Sequence, residues 1–349
     1  MFKFLTFLLL LVAIIAGGIW FLNQQDDSDL ETNKPIKEQE ETPQANEDKD
    51  EQTSRLSLEE KIGQMMFVGI EGTSLTEMEK KLITNYHVGG VILFKENLTD
   101  PEQAVQLINE LKQLNEQNEI PLFIGVDQEG GRITRLPGNW ADIPTNETIG
   151  KMNNPAFANE IGSFLGQQVN AFGFNVNFAP VLDVNSNPNN PIIGDRSFGN
   201  NADIVSNLGL ETMEGIASHG VVPVIKHFPG HGDTGVDSHL ELPTVNKTKE
   251  ELYNLELQPF IQAINNGADM VMVAHILLPH LDSEYPSSMS KAVITDLLRN
   301  ELQYDGVVIT DDMTMKAISD NYLLKQAAVQ SINAGTDIIM VAHDVADMM

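Results

Sequence analysis

"NNGADMVMVAH" (265–275) and "NAGTDIIMVAH" (333–343) are one phrase written twice, at an offset of 68 residues. Each copy reads as a helix end, a glycine turn and a short apolar run closed by a histidine. A repeated helix-turn-strand unit points to a fold assembled from a recurring element. Two copies are too few for a solenoid and suit adjacent units of a barrel.

Outward from this echo, similar apolar runs recur: "MFVGI" (66–70), "GVILF" (90–94), "LFIGVD" (122–127), "VNFAPVLDV" (176–184), "VVPVIKHF" (221–228) and "GVVITDD" (306–312). With the two echoed runs there are eight. Their β-branched, uninterrupted character suits strands buried on both faces, as in a parallel sheet. The stretches between them often read as helices. "DPEQAVQLINELKQLNEQN" is apolar at helical spacing, and "TKEELYNLELQPFIQAINNG" ends in a glycine stop. Eight strands with helical crossovers predict a (β/α)8 TIM-like barrel. A doubly wound open sheet is the alternative, weakened because no glycine-rich nucleotide loop follows the early strands. Polar residues close the runs: Asp127, Asp183, Lys226–His227, His275, Asp311 and His343. In a barrel such ends converge on one mouth.

The chain has 349 residues, a net charge of -29 and no cysteine. The acidity argues against nucleic acid as a partner, and the missing cysteine excludes disulfides and thiolate sites. Residues 1–23 hold one lysine and a 19-residue apolar run, Phe4 to Leu22. That is long enough to cross a bilayer and predicts a membrane anchor or a signal segment. Residues 24–54 are acidic and poor in aromatics, as in a disordered linker. The predicted barrel then occupies 55–349, and "DIIMVAHDVADMM" at its end implies that the last barrel helix is missing.

"KHFPGHGDTGVDSH" (226–239) gathers three histidines and two aspartates among glycines. One reading is a metal site, although nothing resembles H-E-x-x-H or a compact carboxylate cluster. A second is a glycine-rich turn with incidental polar residues. A third is proton transfer: in an extended Asp-x-His the two side chains point the same way, and the carboxylate can stabilise an imidazolium. Asp311, at the end of "GVVIT", offers a carboxylate nucleophile on a strand end. A nucleophile plus a separate proton donor is the set of parts of a retaining glycosidase.

The same stretch, with "VDQEGGRITRL" (126–136), "APVLDVNSNPNNPIIGDRSFG" (179–199) and "GVVITDDMTM" (306–315), resembles glycoside hydrolase family 3 of the bacterial β-N-acetylhexosaminidase type. The likeness runs from about Leu56 to the C-terminus. It implies Asp311 as nucleophile, in preference to Asp312. It implies His239 as general acid/base, with Asp237 as its partner on a mobile loop. Asp127, Arg135, Arg196, Lys226 and His227 match sugar-binding positions. The implied reaction removes terminal N-acetylglucosamine from cell-wall or related amino-sugar fragments, with no metal or organic cofactor. An anchored or secreted location outside a Gram-positive cell would suit wall turnover, with the membrane met only through the N-terminal segment. Three rivals stand beside this: a β-glucosidase, a phosphorylase of the same superfamily and a non-catalytic wall-binding protein.

Overall fold

The computed structural model describes residues 54–140, 142–343 and 345. Each of the eight apolar runs contains one strand: β1 (Met66–Gly69), β2 (Gly90–Leu93), β3 (Phe123–Val126), β4 (Val176–Asn177), β5 (Val222–Phe228), β6 (Met270–Val273), β7 (Val307–Thr310) and β8 (Ile339–Val341). All pairings are parallel, in the order β7-β6-β5-β4-β3-β2-β1-β8. A parallel bridge between Ile309 and Ile338 joins β7 to β8, and the Thr310 amide donates to the Ile338 carbonyl at 3.0 Å. The sheet is therefore a nearly closed barrel.

Its interior is filled by side chains such as Phe67, Ile92, Phe178, Val224, Met272 and Met340. Phe67 and Phe178 meet edge to face at 5.5 Å between centroids. Their bulk fixes Gly125 in β3, where a Cβ would fall 2.7 Å from the Phe178 ring and 3.0 Å from that of Phe67. Outside, the helix Pro101–Asn115 shows how crossovers form. Asp100 caps it by accepting from the Glu102 and Gln103 amides, each at 3.0 Å. Ala104, Leu107, Ile108 and Leu111 then make the buried stripe. Burying each leucine or isoleucine there contributes about 1.5–3 kcal/mol.

Three expectations change, and a fourth is not reached by the described residues. The echoed phrases are not adjacent units: they belong to β6 and β8, with β7 between them, so the 68-residue offset spans two units. The run 176–184 is not one strand. Pro180 has no amide hydrogen for the ladder, so β4 stops at Asn177 and pairing resumes at the Val181–Lys226 bridge. The stretch 248–267 is two helices, Lys249–Asn254 and Gln258–Asn265, because Pro259 cannot continue the first. Finally, the predicted anchor (1–23) and all of the acidic linker except Ser54 lie outside the described residues. Beyond Ala342 only His343 and Val345 are described, so the predicted loss of a last helix lies outside them too.

Candidate active site

A cavity of about 580 Å³ opens at the C-terminal ends of the strands. A larger one, about 980 Å³, opens at the N-terminal ends. Its Arg299 is already engaged by Asp337 and by the Tyr304 and Gly306 carbonyls. The chemistry lies in the first cavity, where Asp127, Arg135, Arg196, Lys226, His227, Asp237, His239 and Asp311 all line the wall.

One wall is an ionic lattice. The Lys226 ammonium, with its side chain 2 % exposed, donates to Asp127 Oδ1 at 2.6 Å and lies 2.7 Å from Glu129 Oε1. The Arg196 guanidinium donates to both Glu129 oxygens, at 2.9 and 2.7 Å. Burial opposes the charge on Glu129, but Arg196 and Lys226 outweigh it and hold the carboxyl far below its usual range. Burial likewise opposes the charge on Lys226, and Asp127 and Glu129 outweigh it, raising its pKa. Arg135 is fixed through its amide to Gln128 Oε1 at 2.9 Å. Its Nε is buried without a hydrogen-bond partner among the described residues.

A regular strand would send Lys226 and His227 to opposite faces. Here both reach the cavity, because the β5–β6 register shifts between Ile225 and Phe228. Asp183 sits behind His227, fully buried. It accepts from the ring Nδ1 at 2.6 Å, from the His227 amide at 3.3 Å and from the His231 amide at 2.6 Å. Burial would raise its pKa; His227 outweighs that and keeps it ionised.

Asp311 follows β7 directly. Burial works against its charge, while the His275, His227 and His239 rings and the Asp312 amide favour it, so the carboxyl titrates at about 2. That amide donates to Asp311 Oδ1 at 2.8 Å. Burial pushes His275 itself towards the neutral form. Its Nε2 donates to the Asp312 carbonyl at 2.9 Å, so it braces the chain behind Asp311. The Asp312 carboxylate also lines the cavity, yet it accepts from the Thr314 amide (3.0 Å), the Thr314 hydroxyl (2.6 Å) and the Ala342 amide (2.9 Å). These bonds engage both of its oxygens.

The loop after β5 carries Asp237 and His239. Asp237 Oδ1 accepts from the His239 amide and from ring Nδ1, both at 2.8 Å. This leaves Nε2 to face the cavity, with the imidazole 61 % exposed. Gly232 lets the loop cross close to the β4 extension: a Cβ there would lie 1.7 Å from the Val184 carbonyl oxygen.

All eight residues singled out from the sequence thus meet in one cavity. Of the predicted rim, Asp183 and His275 sit behind the wall, while His343 lines the cavity and stacks on Phe94 with centroids 5.3 Å apart. Glu129 was missed, and His231, weighed only as a possible metal ligand, lines the cavity as well. Their role depends on long-range pairing, and their only local signal is a charged or basic residue beside glycine.

The glycosyl hydrolase family 3 N-terminal domain model matches residues 57–348. Beta-hexosaminidase A of Pseudoalteromonas piscicida is 40 % identical, over 77 % of this chain and 48 % of that protein. The beta-hexosaminidase of Neisseria meningitidis is 36 % identical, over 77 % of this chain and 75 % of that one. A family 3 β-N-acetylglucosaminidase structure from a Paenibacillus species is 45 % identical with a TM-score of 0.82, over 84 % of this chain and 56 % of that one. The chain therefore spans about half the length of the first and third of these. The expected outer-surface, Gram-positive location does not stand. Matched hexosaminidases include Gram-negative proteins such as that of Neisseria, and no described helix is long and apolar enough to cross a membrane.

Proposed function

The chain belongs to glycoside hydrolase family 3, and from that premise we propose that it is a retaining exo-β-N-acetylglucosaminidase. The observation that carries the reading is one cavity holding an ionised strand-end carboxylate, Asp311, together with an Asp237–His239 pair. Asp311 attacks the anomeric carbon while protonated His239 gives the Nε2 proton to the departing oxygen. Asp237 stabilises the imidazolium through Nδ1–H. Water then attacks the glycosyl-aspartate, His239 takes its proton, and the sugar leaves with retained configuration.

The lattice of Asp127, Lys226 and Arg196, with His227 and Arg135, binds sugar hydroxyls and the amide. Asp312 is a poor competitor as nucleophile because three donors already hold its carboxylate. The names of the matched relatives support a terminal N-acetylglucosamine as the sugar, and a cell-wall or related amino-sugar fragment is the substrate class proposed with it.

The test compares aryl β-N-acetylglucosaminide with aryl β-glucoside and follows the first-formed anomer by NMR. Faster release from the N-acetyl sugar, with the β-anomer appearing first, is expected. Preference for the glucoside or an inverted product would overturn the reading.

A further inference from the structure

The acid/base pair has little to hold it in place. His239 is mostly exposed, and Asp237 and His239 bond chiefly to each other. Between them stands Ser238, only 2 % exposed. Its hydroxyl lies 3.1 Å from His231 Nε2, and its carbonyl accepts from the Ala317 amide at 3.2 Å. Ala317 lies six residues beyond Asp311, in the short helix Lys316–Ser319 that follows β7. Ser238 thus ties the loop to both sides of the cavity at the one position flanked by the two working residues.

The direction of the hydroxyl bond follows from proton counting. With the single Thr234 hydroxyl proton directed to the His231 carbonyl at 3.0 Å, Thr234 accepts from His231 Nδ1 at 2.8 Å. Nδ1 carries the proton, and Nε2 is left as an acceptor. Ser238 Oγ–H donates to it. Burial favours this neutral ring, holding its pKa down to about 4. The ring is itself immobile: the His231 amide is bonded to Asp183, and Asn190 donates to the His231 carbonyl at 2.8 Å and to the Thr234 hydroxyl at 3.2 Å. The same Asp183 holds His227 on the cavity wall.

We propose that the Ser238–His231 hydrogen bond is the latch that holds the His239 imidazole over the leaving oxygen, making Ser238 a positioning residue for general acid catalysis. It rests on the assignment of His239 as acid/base. Loss of the latch leaves the nucleophile and the sugar wall intact but lets the proton donor wander.

The readout is kcat/KM, which reports the steps up to the first irreversible one. It is measured on a dinitrophenyl β-N-acetylglucosaminide, whose leaving group needs no proton, and on an N-acetylglucosamine disaccharide, which does. Ser238→Ala should lose about five- to tenfold on the disaccharide, the population shift expected for one net hydrogen bond, with the aryl substrate nearly unchanged. Ser238→Thr, which keeps the hydroxyl, should recover much of the loss. In a His231→Leu background, Ser238→Ala should add little, since the acceptor is already gone. Equal losses on both substrates, or undiminished cost of Ser238→Ala in the His231→Leu background, would overturn the latch. His239→Ala is the control for the reading beneath it. If that variant discriminates between leaving groups and Ser238→Ala does not, only the latch fails. If His239→Ala does not discriminate, the acid/base assignment and the latch fall together.

Discussion

Two adjacent carboxylates at the end of β7 have opposite surroundings, and this sets what each can do. Asp311 keeps lone pairs toward the cavity and titrates at about 2, so it is ionised near neutral pH. Asp312 is tied to Thr314 and Ala342. Asp311→Ala should therefore lose at least ~10³-fold in kcat/KM on every substrate. A mechanism-based fluorosugar should label Asp311 on peptide mapping; label on Asp312 would reverse the assignment. Glu129 poses a different residue-scale question. It neutralises Lys226 and Arg196 in the wall. Glu129→Ala would leave two cations facing each other in a buried site, at a cost of about 3–5 kcal/mol. Denaturant unfolding checks this, and an unchanged midpoint would mean that water or Asp127 compensates.

At the scale of elements, the hydrogen bonds of the loop after β5 favour the proton reading of its histidines over the metal one. Several of the groups a metal would need already make hydrogen bonds, while His239 Nε2 and the Asp311 carboxylate stay open to the cavity. Asp183 accepts from His227 and His231, both nitrogens of His231 are engaged, and Asp237 holds His239. No group of three or more ligating side chains is placed to hold an ion among the described residues. Exhaustive chelation should leave turnover unchanged. A loss restored only by adding zinc or another divalent ion would favour a metal. The register shift in β5 belongs to this scale as well: it aims two consecutive residues at one cavity.

For the whole molecule, buried titrating groups set the pH window of stability. Asp311, Asp183 and Glu129 are depressed carboxyls, which bind fewer protons folded than unfolded. Their contribution is full above the ordinary value of 3.8 to 4.5 and fades as pH falls towards their folded values. His231 and His275 are depressed bases, so the unfolded chain also binds more protons below 6.5, and His231 stops contributing further loss near 4. Lys226 is raised, so its contribution is full below 10.5 and lost above its folded value. The melting temperature should hold a plateau between about 6.5 and 10, where the buried Tyr304 begins to lower it, fall in a first stage from 6.5 to 4 and in a second below that. A flat profile from 6.5 to 4 in a thermal-unfolding series would show that the two buried histidines are not held neutral. Eight strands, their order along the chain and the strand-end residues were legible in the sequence, because burial on both faces demands uninterrupted apolar runs and the barrel brings their C-terminal ends together. The run 176–184 read as a single strand, since only pairing with Lys226 shows where Pro180 interrupts the ladder. Asp183 and His275 both read as rim residues; their bonds to His227, His231 and Asp312, which set them behind the wall, cross 37 to 48 positions of chain. The sequence by itself determined which chemical groups are present and which end of the barrel they occupy, since both follow from local pattern. Tertiary structure alone decided which carboxylate is free, which histidine is neutral and which residue pins the loop, because each depends on donors supplied from distant segments.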